Sequence, residues 1–182
     1  ARDAEGDLDI VVVPSTGGAP TPVVRPAGSS GEWGWITAID WSPDGSRLAY
    51  AWRTDPEGPT EVRTVGVDGG DPQVVTEVAY AQSLDWSPDG TRLLVAGALD
   101  LDRVSAVVDV ATGERRDLPQ RAALARWTAD GARAYALVAA DDEGDRWELV
   151  DVAVPAGPGA APDRTVAEVG EPSFGMSVGP TC

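Results

Sequence analysis

The chain has 182 residues, 42% hydrophobic and 24% charged, which is the composition of a globular domain rather than a disordered one. It contains no His and no Lys, and its only Cys is Cys182, which excludes a Ser-His-Asp or Cys-His relay, a His- or Cys-ligated zinc, a lysine Schiff base, a P-loop lysine and an intrachain disulfide. The formal net charge of −16 repels phosphate backbones and anionic lipid, so no nucleic-acid partner is expected, and no apolar stretch approaches the ~20 residues a membrane span needs.

In chain order, the first element is an apolar strand over Leu8 to Pro14, closed by the turn Ser15-Thr16-Gly17-Gly18. Residues 8–24 read as the last two strands of a sheet whose first two are missing. A Pro- and Gly-rich loop, Gly17 to Gly28, leads to Glu32-Trp33-Gly34-Trp35 and a strand over Ile36 to Ile39. Next stands Trp41-Ser42-Pro43-Asp44-Gly45-Ser46-Arg47-Leu48. It returns 45 residues later as Trp86-Ser87-Pro88-Asp89-Gly90-Thr91-Arg92-Leu93, and after a further 41 as Trp127-Thr128-Ala129-Asp130-Gly131-Ala132-Arg133-Ala134. An apolar segment precedes each copy, and a second apolar run, a polar loop and two more short runs follow it. Four short strands in a period of this length are the signature of a propeller blade.

The spelling of the repeat has a physical reason. Pro43 presets the backbone angle of a tight turn, Asp44 suits the next position, and Gly45, like Gly90 and Gly131, accepts the left-handed conformation that turns the second strand back. A three-residue hairpin loop sets Trp41 across from Arg47, Trp86 from Arg92 and Trp127 from Arg133. The expectation is a guanidinium stacked on an indole inside each blade, these six residues being structural. Thr128 and Ala129 depart from the pattern and predict a looser third turn.

The pattern resembles the TolB-like β-propeller repeat, a relative of the WD-type repeat. The apolar strand, the Ser-Pro-Asp-Gly hairpin, the Leu48-Ala49-Tyr50 strand and the Asp68-Gly69-Gly70 turn, with Asp109 to Gly113 as its looser counterpart, carry the likeness. The predicted fold is all-β: a partial or small propeller of about three full four-stranded blades plus one incomplete blade, in a single domain. A blade remnant covers 8–24, full blades cover about 32–76, 77–119 and 120–169, and 172–180 reads as the first strand of a next blade. The resemblance implies an extracytoplasmic bacterial setting, as part of a larger exported or membrane-anchored protein. Because the chain opens on Ala1, any targeting segment is expected upstream.

Without His or Lys, only carboxylates and hydroxyls remain for acid–base work. Asp40 and Asp85 occupy equivalent positions before the motif Trp, with Arg126 in that place in the third unit. Brought together, they would raise one pKa or hold a cation; the plainer expectation is that each is hydrogen-bonded inside its own blade or paired with an Arg. The acidic loop Asp141, Asp142, Glu143 and Asp145 is a weak candidate for Ca²⁺, lacking the ligand spacing of an EF-hand. Trp33 and Trp35 stand outside the repeat phase and either offer a stacking platform for a sugar, peptide or protein partner or cover the open edge of the arc. The sequence thus reads as a non-catalytic domain with no required cofactor. It is expected to bind a protein partner or to serve as an extracytoplasmic sensor module, and its open blade edges invite self-association. The alternatives are an accessory propeller of a hydrolase or peptidase, and a carbohydrate-binding module.

Overall fold

The computed structural model describes residues 10–24, 34–99, 102–118, 122–140, 146–154 and 164–169. Every regular element among them is a β-strand. A two-stranded remnant, β1 (Ile10–Val12) and β2 (Thr21–Val24), precedes three four-stranded antiparallel sheets. Blade I holds β3 (Trp35–Trp41), β4 (Arg47–Arg53), β5 (Thr60–Gly66) and β6 (Gln73–Val78). Blade II holds β7 (Ser83–Trp86), β8 (Arg92–Leu99), β9 (Asp102–Asp109) and β10 (Arg115–Asp117). Blade III holds β11 (Ala122–Trp127), β12 (Arg133–Ala139), β13 (Trp147–Ala153) and β14 (Arg164–Val169). In each blade the strands lie side by side in chain order. The architecture is that of a partial β-propeller. Residues 172–180, Trp33 and the acidic loop 141–145 lie outside the described residues.

Alternation along the strands explains how the blades stack. Leu48, Tyr50 and Trp52 on β4 point back onto Ile10, Val23 and Val24 of the remnant. Ala49 and Ala51, on the other face of the same strand, meet Leu84, Trp86, Leu93 and Val95 of blade II. Leu94 and Ala96 in turn meet Ala125, Trp127, Ala134 and Ala136 of blade III. The core is therefore three successive interfaces, each filled by the back face of one blade and the forward face of the blade before it.

The hairpins differ from expectation by one residue. Trp41 pairs with Leu48, Trp86 with Leu93 and Trp127 with Ala134. The turn Ser42-Pro43-Asp44-Gly45 closes through Gly45 N–H donating to Ser42 O at 2.8 Å, and Ser42 N–H donates to Arg47 O at 2.9 Å. The loop thus holds four residues, not three. Since side chains alternate, this slip moves every Arg of the repeat to the face opposite its own Trp. No stack forms inside a blade between these pairs among the described residues; Arg47 and Arg92 instead reach the Trp of the next blade, and Arg133 pairs with Asp151 of its own.

The third turn is also tighter than its spelling suggests. Thr128 Oγ1 donates to Asp130 Oδ1 at 2.6 Å and accepts from Arg133 N at 3.1 Å. These are the bonds Ser42 makes with Asp44 and Arg47. A hydroxyl is all the position requires, and Gly131 keeps the same φ of 68° as Gly90.

Candidate functional site

The joints between blades are built from the repeat residues. Between blades I and II, Asp40 Oδ2 accepts a hydrogen bond from Trp86 N at 2.9 Å. The Arg47 guanidinium lies 4.7 Å from the centre of the Trp86 ring and donates to Gly90 O at 3.1 Å. Pro43 packs where a Cβ on Gly90 would stand, 3.6 Å away. Between blades II and III the same contacts recur. Asp85 Oδ2 accepts from Trp127 N at 2.6 Å, Arg92 lies 4.8 Å over Trp127, and Pro88 packs 3.3 Å from the Gly131 Cβ position. This joint gains one more bond, Trp127 Nε1 donating to Asp85 O at 3.0 Å.

Asp40 and Asp85 therefore bond across blades rather than within them, each closing the open N–H of the next inner strand. Burial pushes the Asp85 carboxyl up, the Trp127 N–H and the Arg126 cation pull it down, and the charge of Asp40 adds a smaller upward push. Arg126 Nη1 lies 3.7 Å from Asp85 Oδ1 and donates to Leu84 O at 2.6 Å. Among the described residues no group of three or more His, Cys, Asp or Glu is placed to hold a metal ion.

Trp35 stands elsewhere. The register of β3 against β4 shifts between Ile36 and Ala38, so Trp35 and Trp41 sit on opposite faces although they are an even number of positions apart. Trp35 is 45% exposed and borders a cleft of about 450 Å³ lined by Ile36, Thr37, Arg53, Pro56 and Tyr80. The cleft opens on the rim that carries the β4–β5 loop and the link from β6 to β7, opposite the rim of the Pro-Asp-Gly turns. Arg53 forms one wall. Its guanidinium lies 5.2 Å over the Tyr80 ring, Nε donates to Asp55 O at 2.8 Å, and Nη2 donates to Pro56 O. Gly34 permits this arrangement, because a Cβ there would overlap the Trp52 ring.

Arg53, Pro56 and Tyr80 were not singled out by the sequence. Their signal is weak: each lies in a loop or at a strand end, outside the repeat phase. A second depression, about 240 Å³ between Arg92, Asp109, Glu114 and Arg116, is polar and its charges are engaged. Arg116 pairs with Glu114 at 3.2 Å, and the Thr112 backbone N–H holds the Asp109 carboxyl below the usual range.

No protein-family model matches the chain, and no curated protein matches its sequence. Solved structures do. TolB from Acinetobacter baumannii is similar over 90% of this chain and 46% of its own, at 16% identity and a TM-score of 0.54. The β-propeller domain of the Trilobed protease from Pyrococcus furiosus, described as having an open velcro topology, is similar over 92% of this chain and 51% of its own, at 14% identity and a TM-score of 0.60. An oligogalacturonate lyase from Vibrio parahaemolyticus is similar over 80% and 42%, at 14% identity and a TM-score of 0.60. The fold is thus an all-β propeller of the kind found in TolB. The chain spans about half the length of these structures, or less.

Proposed function

We propose that this chain is a non-catalytic β-propeller domain that binds a protein partner through the rim carrying Trp35. The observation that supports this most is the cleft itself. An exposed indole stands at its mouth, apolar atoms of Ile36 and Pro56 line it, and the Arg53 guanidinium lies over the Tyr80 ring. Aromatic anchors of this kind, fixed before the partner arrives, contribute most to protein recognition. No carboxylate lines the cleft among the described residues, so the site offers shape and stacking rather than proton transfer. The likeness of the repeat to the TolB-like family supports an extracytoplasmic setting.

The test is selection from a phage-displayed peptide library on the purified chain, followed by titration of the winners against Trp35→Ala. Peptides that enrich and then lose at least about tenfold in affinity on Trp35→Ala support the reading. Selection that enriches nothing, or peptides indifferent to Trp35, would refute it. A carbohydrate-binding module instead predicts hits on a glycan array that Trp35→Ala abolishes. An accessory role beside a hydrolase predicts a catalytic domain in the same reading frame.

A further inference from the structure

The Trp35 cleft contains a cation whose charge nothing among the described residues balances. Arg53 is only 6% exposed, and a buried guanidinium is costly unless an anion or several acceptors meet it. Two acceptors do. Nε and Nη2 donate to the Asp55 and Pro56 carbonyl oxygens of the β4–β5 loop, and the Tyr80 ring lies against the guanidinium. No carboxylate among the described residues pairs with it. Asp55 gives Arg53 its carbonyl, while its carboxylate accepts from Glu57 N at 2.9 Å. Arg63 and Arg133 are more exposed than Arg53, yet each is paired, with Glu61 at 2.7 Å and with Asp151.

The guanidinium is reached from the cleft. Nη1 makes no hydrogen bond among the described residues, yet it is not sealed from solvent as the unpartnered Thr60 hydroxyl is, and Arg53 forms part of the cleft lining. The register of β3 against β4 sets Trp35 directly across from Arg53, on the same face of the sheet. Tyr80 arrives from the link between β6 and β7, which Thr37 ties to β3 by donating from its hydroxyl to Ala81 O at 2.5 Å. An unbalanced positive charge thus stands inside an aromatic and apolar surround. Blade I and its link to blade II build this cleft, so it depends on neither end of the chain.

From this we infer that the cleft recognises a single carboxylate of a partner polypeptide, set beside an apolar or aromatic side chain. The carboxylate takes the charge-assisted bond that Arg53 Nη1 leaves open, and the neighbouring side chain lies against Trp35. The inference deepens the protein-binding proposal and rests on it. A net charge of −16 narrows the partner further. A run of acidic residues is repelled as a whole, whereas one carboxylate, within the Debye length of about 8 Å, responds most to the nearest cation. A C-terminal carboxylate and a lone Asp or Glu side chain both meet that description, and a flanking Arg offsets the repulsion.

The probes are two acetylated peptides, each with a neutral counterpart. Arg-Gly-Gly-Phe ends in a free carboxylate and is compared with its amide; amidated Arg-Gly-Glu-Phe-Gly is compared with the same peptide carrying Gln for Glu. Each is titrated into the full chain labelled with 5-fluorotryptophan, and binding is read from the Trp35 resonance, assigned by Trp35→Phe. At least one carboxylate peptide should bind with a dissociation constant of about 1 mM or tighter, and its neutral counterpart at least about tenfold more weakly. The preferred one tells a chain terminus from a side chain. In Arg53→Gln the charged and neutral forms should bind equally, and that equality reads the pair itself whatever happens to the loop. The comparison of peptides on the unaltered chain stands even where that variant fails to fold. Neutral peptides that bind at Trp35 as tightly as charged ones would overturn the inference and leave the protein-binding role of the rim intact. A preference for the carboxylate that survives Arg53→Gln, or no binding by any probe, would overturn it as well. Binding that appears only with Glu32→Gln, or only once residues 171–182 are removed, would assign Arg53 to a carboxylate of the chain itself and likewise sink the idea.

Discussion

The sharpest consequence of the blade-to-blade contacts concerns Arg92, which has two candidate indoles. Trp86 belongs to its own hairpin and lies on the opposite face of the sheet; Trp127 belongs to the next blade, with the guanidinium 4.8 Å from its ring centre. A cation over an indole contributes about 0.5–2 kcal/mol as desolvation increases. The Arg92 side chain is partly buried, and its contact with Asp89 at 3.9 Å is an exposed pair of small effect. A coupling energy of about 1 kcal/mol is therefore expected between Arg92 and Trp127. Arg92→Met keeps most of the packing and Trp127→Leu keeps an apolar group. A double-mutant cycle on these two, read by urea unfolding with the slope checked for constancy, isolates the pair. The same cycle between Arg92 and Trp86 should give less than about 0.3 kcal/mol. Coupling to Trp86 with none to Trp127 would refute the reasoning and restore a stack inside the hairpin.

Two further predictions follow from the carboxylates. Asp85→Ala removes the acceptor of the Trp127 N–H, a charged hydrogen bond of about 1.5–3 kcal/mol, but also relieves the cost of burying the carboxylate; the net loss should be about 1–2 kcal/mol by urea unfolding, and smaller for Asp85→Asn, which retains an acceptor oxygen. Asp44 and Asp89 behave differently with pH. The Ser42 and Ser87 hydroxyls, aided by Ser46 and Thr91, hold these carboxyls down to about 2. A folded-state pKa below the unfolded value contributes stability that is complete above about pH 4 and disappears as pH falls toward 2. Asp85, pushed up, has the opposite sign: it adds stability as pH falls through its raised value. A thermal-unfolding series between pH 7 and 2 should therefore show an acid-side loss that Ser42→Ala with Ser87→Ala flattens and Asp85→Asn steepens.

How much of this was legible in the sequence follows from which contacts are local. The hairpin turn was, because Pro43, Asp44 and Gly45 each satisfy a backbone demand within four residues. The number of residues in its loop was not. Ser46 enters the loop because Arg47 N–H can bond Ser42 Oγ, at 2.9 Å, only when Ser42 and Arg47 are opposed. That single residue decides which face carries Arg47, and hence whether the repeat binds itself or its neighbour. The cleft was legible only through Trp35. Tyr80 and Arg53 approach each other because the link between two blades passes the end of β4, a proximity that no spacing along the chain encodes.

The measurement that tests the account most directly is the solvent exposure of individual indoles. Fluorine NMR of 5-fluorotryptophan-labelled chain, assigned by single Trp→Phe variants, reports each ring through its shift between light and heavy water. The account predicts solvent-sensitive resonances for Trp35 and Trp41 and insensitive ones for Trp86 and Trp127, as their burial requires. A Trp41 resonance as protected as that of Trp86 would contradict it, because blade I would then already be covered.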